Sequence, residues 1–186
     1  MKKPDKKKSN ANKIKQMKTS PIYRIAMCGM LLGFALLLGY VESLIPFSIT
    51  VPGAKLGLAN MSVVVCLFLL GPRYAICISV GRILISSFLF GNSFGLLYSL
   101  SGGVFSFLIM FVYQKIAKGE ILFTSALGGI AHNMAQIFIA FCVVRTGVIF
   151  YYIPVLVCVG LLTGIFNGLI AKLVLSRISK VKWMGE

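Results

Sequence analysis

The chain has 186 residues, of which 58% are hydrophobic and only 12% charged, and its mean hydropathy is +0.93. A soluble domain of this size would expose far more charge, so the composition excludes an ordinary cytosolic fold and points to an integral membrane protein. The formal charge of +15 does not indicate nucleic acid, because the basic residues gather in tails and turns, without interleaved aromatics or zinc-ligand spacing.

Nine of the 19 basic residues precede position 25, from Lys2 to Arg24. Residues 1–20 are expected to form a basic cytoplasmic tail close to anionic lipid. It is not read as a cleaved secretory signal, because many comparable apolar runs follow the first. Pro21 marks the entrance to a first span, Ile22 to about Ser43. That span carries Gly29 and Gly33 at GxxxG spacing, a narrow face suited either to internal packing or to docking on a separate membrane subunit. Glu42, Ser43 and Pro46 end it, and a connector containing Pro52-Gly53 leads to a short apolar segment at about Leu56 to Leu70.

Gly71-Pro72-Arg73 forms a helix break with a positive charge, as expected of a cytoplasmic turn. The third span is predicted at about Tyr74 to Phe90, and the turn Gly91-Asn92-Ser93 separates it from the fourth, about Gly95 to Tyr113. Lys115, Lys118 and Glu120 supply a second cytoplasmic connector. The fifth span covers Ile121 to Val144, Arg145-Thr146-Gly147 form an outer turn, and the sixth runs from about Ile149 to Ala171. Gly160, Gly164 and Gly168 lie four apart on one face of this last helix, the pattern of a close-packing ridge, and Asn167 beside them is placed to satisfy a neighbouring carbonyl. A second basic tail occupies 173–186, leaving 21–172 as the membrane domain.

Six spans put both termini on one side. Sixteen of the 19 basic residues then fall on the cytoplasmic face, and only Lys55, Arg82 and Arg145 remain for the outer half or the interior. The prediction is an all-α six-helix bundle, multi-pass in the cell membrane, with cytoplasmic termini.

Arg82 lies inside an apolar run, where a guanidinium facing lipid is costly, so other segments must fold around it. Lys55 and Arg82 are suited to an anionic ligand, with Asn60 and Asn92 adding neutral hydrogen bonds. The alternative for Arg82 is a structural pair with Glu42 or with helix carbonyls. His132, Asn133 and Gln136 form a polar line in the fifth span, His132 and Gln136 sharing one face. His132 is open to three roles: a structural histidine, a ligand contact or a proton-coupling group. Tyr98 with Ser101, Gly102 and Gly103 adds a low-bulk patch that either admits a ligand to the backbone or lets helices meet closely. Tyr151 and Tyr152 are expected at the membrane interface or over a pocket.

The four acidic residues, Asp5, Glu42, Glu120 and Glu186, include no pair able to hold divalent metal around a diphosphate. There is no GxxxxGK[ST] loop and no HExxH motif. The expectation is therefore no enzyme activity, no metal and no cofactor in this chain. The five cysteines are spaced as small buried hydrophobes and give no disulfide framework.

Five strings together, GYVESLIPF at 39–47, VPGAKLGLAN at 51–60, GRILISSFLFGN at 81–92, YSLSGG at 98–103 and GGIAHNMAQ at 128–136, resemble the Gx transporter family, known also as heptaprenyl diphosphate synthase component I. That family is related to the substrate-binding S components of energy-coupling-factor importers. The resemblance implies a compact six-helix subunit that captures a small anionic or isoprenoid-related substrate from outside. Its implied partners are a membrane coupling protein and two cytoplasmic ATPases, which would use the ATP. It implies that Gly29 and Gly33 form the coupling surface, and it favours Lys55, Asn60, Arg82, Asn92, His132 and Gln136 as pocket residues. The alternative, carried by the family's other name, is an accessory or catalytic subunit in prenyl diphosphate or quinone-precursor synthesis.

Overall fold

The computed structural model describes residues 20–44, 57–90, 93–117 and 119–183. They form six helices: α1 Pro21–Leu44, α2 Leu58–Leu69, α3 Pro72–Phe90, α4 Ser93–Ala117, α5 Ile121–Val144 and α6 Ile153–Trp183. A 3-10 helix, Gly147–Tyr152, precedes the last. Five are long and apolar enough to cross a membrane, with mean hydropathies between 1.2 and 2.3, and α2 is the short exception. The protein is a multi-pass, all-α membrane bundle.

Helix boundaries follow local chemistry. Ser20 precedes Pro21, and its hydroxyl oxygen accepts the Tyr23 N–H at 3.2 Å, so α1 starts on an N-cap and a proline whose missing N–H costs nothing there. Gly71, at φ 98°, turns the chain between α2 and α3 where a side chain would be strained. Arg145 takes the left-handed conformation at the end of α5, and its N–H caps the Phe141 carbonyl at 2.8 Å.

The sixth element departs from the predicted span at both ends. Pro154, second in α6, has no N–H to offer, and the preceding residues wind as a 3-10 turn. At the other end α6 continues beyond Ala171 to Trp183, because lysine and arginine are good helix formers: charge marks where a helix leaves the apolar layer, not where it stops. Its 31 residues reach roughly 46 Å, against about 30 Å of hydrocarbon.

Helices α3, α4, α5 and α6 pack in sequence order, α2 packs against α3 and α6 and touches α4 and α5, and α1 lies outside on α2 and α3. α2 is thus the central helix. Every residue from Ala59 to Leu67 is buried, whereas α1 buries only Leu31 and Ala35. The tightest seam is α5 against α6. A Cβ on Gly129 would collide with the Gly160 carbonyl, and one on Gly164 would stand 2.6 Å from the Ser125 carbonyl oxygen. The Gly160-Gly164-Gly168 ridge is the close-packing surface expected from its spacing.

Where α2 begins matters most for function. The Gly57 carbonyl accepts the Asn167 amide at 3.0 Å, and Asn167 lies fourteen residues into α6, roughly 21 Å along its axis. α2 therefore runs beside the later half of α6. The opening half of α6 has no counterpart from α2 beside it.

Candidate functional site

Polar side chains fill the interior in tiers that climb from α2 toward the end of the bundle where α1 and α3 finish. At the lowest tier the Asn60 amide donates to the Ser106 hydroxyl at 3.2 Å. Both are buried, and a Cβ on Gly128 of α5 would lie 3.1 Å from the Ser106 oxygen, so α2, α4 and α5 meet there. One turn further, α4 presents Gly102 and Gly103. The His132 imidazole lies directly over Gly102, where an added Cβ would stand 2.7 Å from Cε1, and Ser79 of α3 lies against Gly103 at 3.4 Å by the same measure. These two glycines are the near wall that lets α3 and α5 approach α4.

Arg82 lies three residues beyond Ser79 on the same face of α3, and Gln136 lies one turn beyond His132 on α5. This tier is level with the opening half of α4, where Tyr98 is partly buried and its carbonyl accepts the Ser101 hydroxyl at 2.9 Å. Arg82 is partly buried, and its Nε is shielded from solvent without a hydrogen-bond partner. Gln136 is 1% exposed, and neither its amide nitrogen nor its oxygen has a partner. The Ser79 hydroxyl and Asn60 Oδ1 are in the same condition. An unmet buried polar group costs about 1–3 kcal/mol, so a cluster of them is a standing preference for something that supplies the missing bonds.

Glu42 is not paired with Arg82. Its carboxylate accepts the Gly57 N–H at 2.7 Å and the Leu58 N–H at 3.1 Å, capping α2 from the last turns of α1. The carboxylate still acts on Arg82 electrostatically, but no ion pair joins the two. Gly57 is consequently held on both sides, its N–H by Glu42 and its carbonyl by Asn167, in a left-handed conformation at φ 66°. Asn133 turns away from this group: its amide donates to the Leu156 carbonyl at 2.8 Å and ties α5 to α6.

His132 on α5 and Ser79, one turn before Arg82 on α3, thus meet α4 at neighbouring glycines, Asn60 bonds Ser106 of the same helix, and Tyr98 lies one turn before Gly102. Lys55, Asn92 and the Pro52-Gly53 connector lie outside the described residues. Sequence reasoning did not single out Ser79, Ser62 or Ser106. Ser79 had a usable signal, three residues before an intramembrane arginine on the same face; Ser106 had only its spacing of four from Gly102. Gly29 and Gly33 face outward on α1, and a Cβ at either meets nothing within 4 Å. Among the described residues no group of three His, Cys, Asp or Glu side chains is placed to hold a metal ion.

Fold and site together define a class: a multi-pass helical membrane protein with a polar, cation-bearing interior around a short central helix. The family profile described as heptaprenyl diphosphate synthase component I matches residues 31–174, and the chain belongs to that family. No curated protein and no solved structure matches it.

Proposed function

We propose that this protein is a membrane-embedded binding subunit that holds a small anionic molecule between α3, α4 and α5. The carrying observation is the unpartnered Arg82 Nε on a tier with Gln136, whose two amide atoms are both unmet. A guanidinium offers a fixed fork of donors to an oxyanion, and a primary amide offers one donor and one acceptor. The ligand contacts follow as Arg82 for the charge, with Gln136, His132, Tyr98 and Asn60 around it.

Within this reading the subunit serves an ATP-driven importer, working with a membrane coupling protein and two ATPases. The outward face of α1 at Gly29 and Gly33 supports it, because helix surfaces free of bulk suit another membrane helix. A second reading is favoured by the family description itself, which names component I of a prenyl diphosphate synthase. There the subunit presents or retains an isoprenoid diphosphate for a partner that performs the synthesis.

Native mass spectrometry of the protein released from mild detergent tests the shared core. A retained anionic small molecule is expected, and it is lost in Arg82→Gln; a protein that carries nothing, or an adduct indifferent to Arg82, overturns the binding reading. Co-purifying ATPases and ATP-dependent uptake of that molecule select the importer. Chain elongation of a prenyl diphosphate that requires both this chain and a soluble partner selects the synthase accessory.

A further inference from the structure

Four amide side chains are buried among the described residues: Asn60, Asn133, Gln136 and Asn167. Three of them fasten helices together through the amide nitrogen, Asn60 to the Ser106 hydroxyl at 3.2 Å, Asn133 to the Leu156 carbonyl at 2.8 Å and Asn167 to the Gly57 carbonyl at 3.0 Å. Gln136 fastens nothing. It is 1% exposed, and both its nitrogen and its oxygen are shut from solvent without a partner. Methionine or leucine at this position would spare the fold both unmet atoms, so packing does not account for the glutamine.

Contacts fix the face of α5 that carries it. A Cβ on Gly128 would stand 3.1 Å from the Ser106 hydroxyl, and His132, one turn on, lies over Gly102. Each turn of α5 thus steps one turn back along α4, and Gln136 comes level with the partly buried Tyr98. On the other flank of α4, Ser79 meets Gly103 and Arg82 follows one turn on. The amide and the guanidinium therefore border the same opening half of α4, and their demands differ. A guanidinium only donates, whereas the Gln136 oxygen needs a donor and its nitrogen an acceptor. A carboxylate, phosphate or diphosphate brings acceptors alone and leaves the Gln136 oxygen unmet. An N–H beside a C=O answers both atoms at once, in the arrangement that two paired amides make.

We infer that Gln136 is a specificity-determining residue and that the bound anion carries an amide-type edge, a carboxamide, lactam or imide, as well as its negative charge. This rests on the binding reading above and narrows it: prenyl phosphates and diphosphates have no N–H and are disfavoured. Arg82 holds the charge and Gln136 reads the edge. The rotatable stem of Gln136 lets its amide turn to the ligand from the sealed position that it takes here.

The test compares wild type with Gln136→Met, which keeps the length of the side chain and removes both polar atoms, as purified full chains in mild detergent. Native mass spectrometry weighs the molecule carried through purification. After release, its exact mass, its fragments and the hydrogens that it exchanges in heavy water show whether it has an N–H beside a carbonyl. An amide-bearing anion is expected, with occupancy about tenfold lower in Q136M. The same substitution is expected to raise the melting temperature of the protein washed free of that molecule by about 2–4 °C, because an unmet amide has left the interior. A carried anion without such an N–H, a prenyl diphosphate for example, overturns the inference, and so does equal occupancy in Q136M. A lower melting temperature, or failure to fold, would give Gln136 a structural role and overturns it too. A wild type that carries nothing, or an anion indifferent to Arg82→Gln, removes the binding reading and this inference with it; an Arg82-dependent anion without the amide edge removes the inference only.

Discussion

At Gly102 the backbone of α4 and the ring of His132 share a space that no side chain enters, and this contact fixes the height at which the α5 histidine sits. Gly102→Ala puts a methyl group where Cε1, Nδ1 and Nε2 all lie within 2.9 Å, so either the ring or the helix must move. Overpacking of this kind costs about 1–3 kcal/mol. A thermal melt in detergent is expected to show that loss. Adding His132→Ala to Gly102→Ala should return most of it, because the methyl then occupies the vacated ring volume; two strictly additive losses would mean that the contact is not the cause. The intramembrane arginine, histidine and amides were legible in the sequence because each is costly in lipid and so had to face inward, whereas the buried serines were not. The division of labour among the amides was not legible either. Asn133 and Gln136 stand on one helix and look alike in sequence, yet one amide holds Leu156 and the other has neither bond made. Nothing in their own helix reveals which way the α6 carbonyls point. Asn167 was a partial success, since a neighbouring carbonyl was the expected partner and Gly57 provides it.

Helix by helix, the sequence located what charge brackets. α5 runs from Ile121 to Val144 as predicted because Glu120 and Arg145 stand at its two ends. α2 is different: its residues would suit lipid or a protein core equally well, and only packing reveals nine consecutive buried positions and a start deep in the bundle. That start depends on a carboxylate from another helix. Glu42→Ala leaves the Gly57 and Leu58 N–H groups without their acceptor and should cost about 0.5–2 kcal/mol, as loss of an N-terminal cap does elsewhere. Hydrogen exchange is expected to accelerate first at the beginning of α2; unchanged exchange there would remove the capping role. The glycine seams give a contrast that separates two kinds of small residue. At Gly160 a Cβ meets the Gly129 carbonyl oxygen at 2.7 Å and Asn133 Nδ2 at 3.0 Å, mostly backbone that cannot yield, so Gly160→Ala should destabilise the isolated protein by about 1–3 kcal/mol. Gly29→Ala meets nothing and should leave the melting temperature of the isolated protein unchanged or slightly raised.

For the whole molecule, the unequal treatment of its helices carries the functional argument. A bundle built only for its own stability has no reason to keep glycine on an outward helix face, since alanine there favours the helix by up to about 1 kcal/mol per residue. α1 nevertheless shows Gly29 and Gly33 to the outside, while Leu31 and Ala35 alone bury themselves within it. The seam between α5 and α6 uses the same residue type to bring two backbones together, and a partner helix on α1 would use Gly29 and Gly33 likewise. Gly29→Leu is therefore expected to leave ligand retention and melting of the isolated chain intact, because the added side chain points away from α2 and α3. Recovery of the membrane partner and of any ATPases in a pull-down from native membranes should fall by about tenfold or more, with ATP-dependent uptake falling in parallel. A loss of uptake with assembly undiminished would place the defect elsewhere. Undiminished assembly and uptake would leave α1 facing lipid and put the coupling surface on another helix, with the importer reading intact.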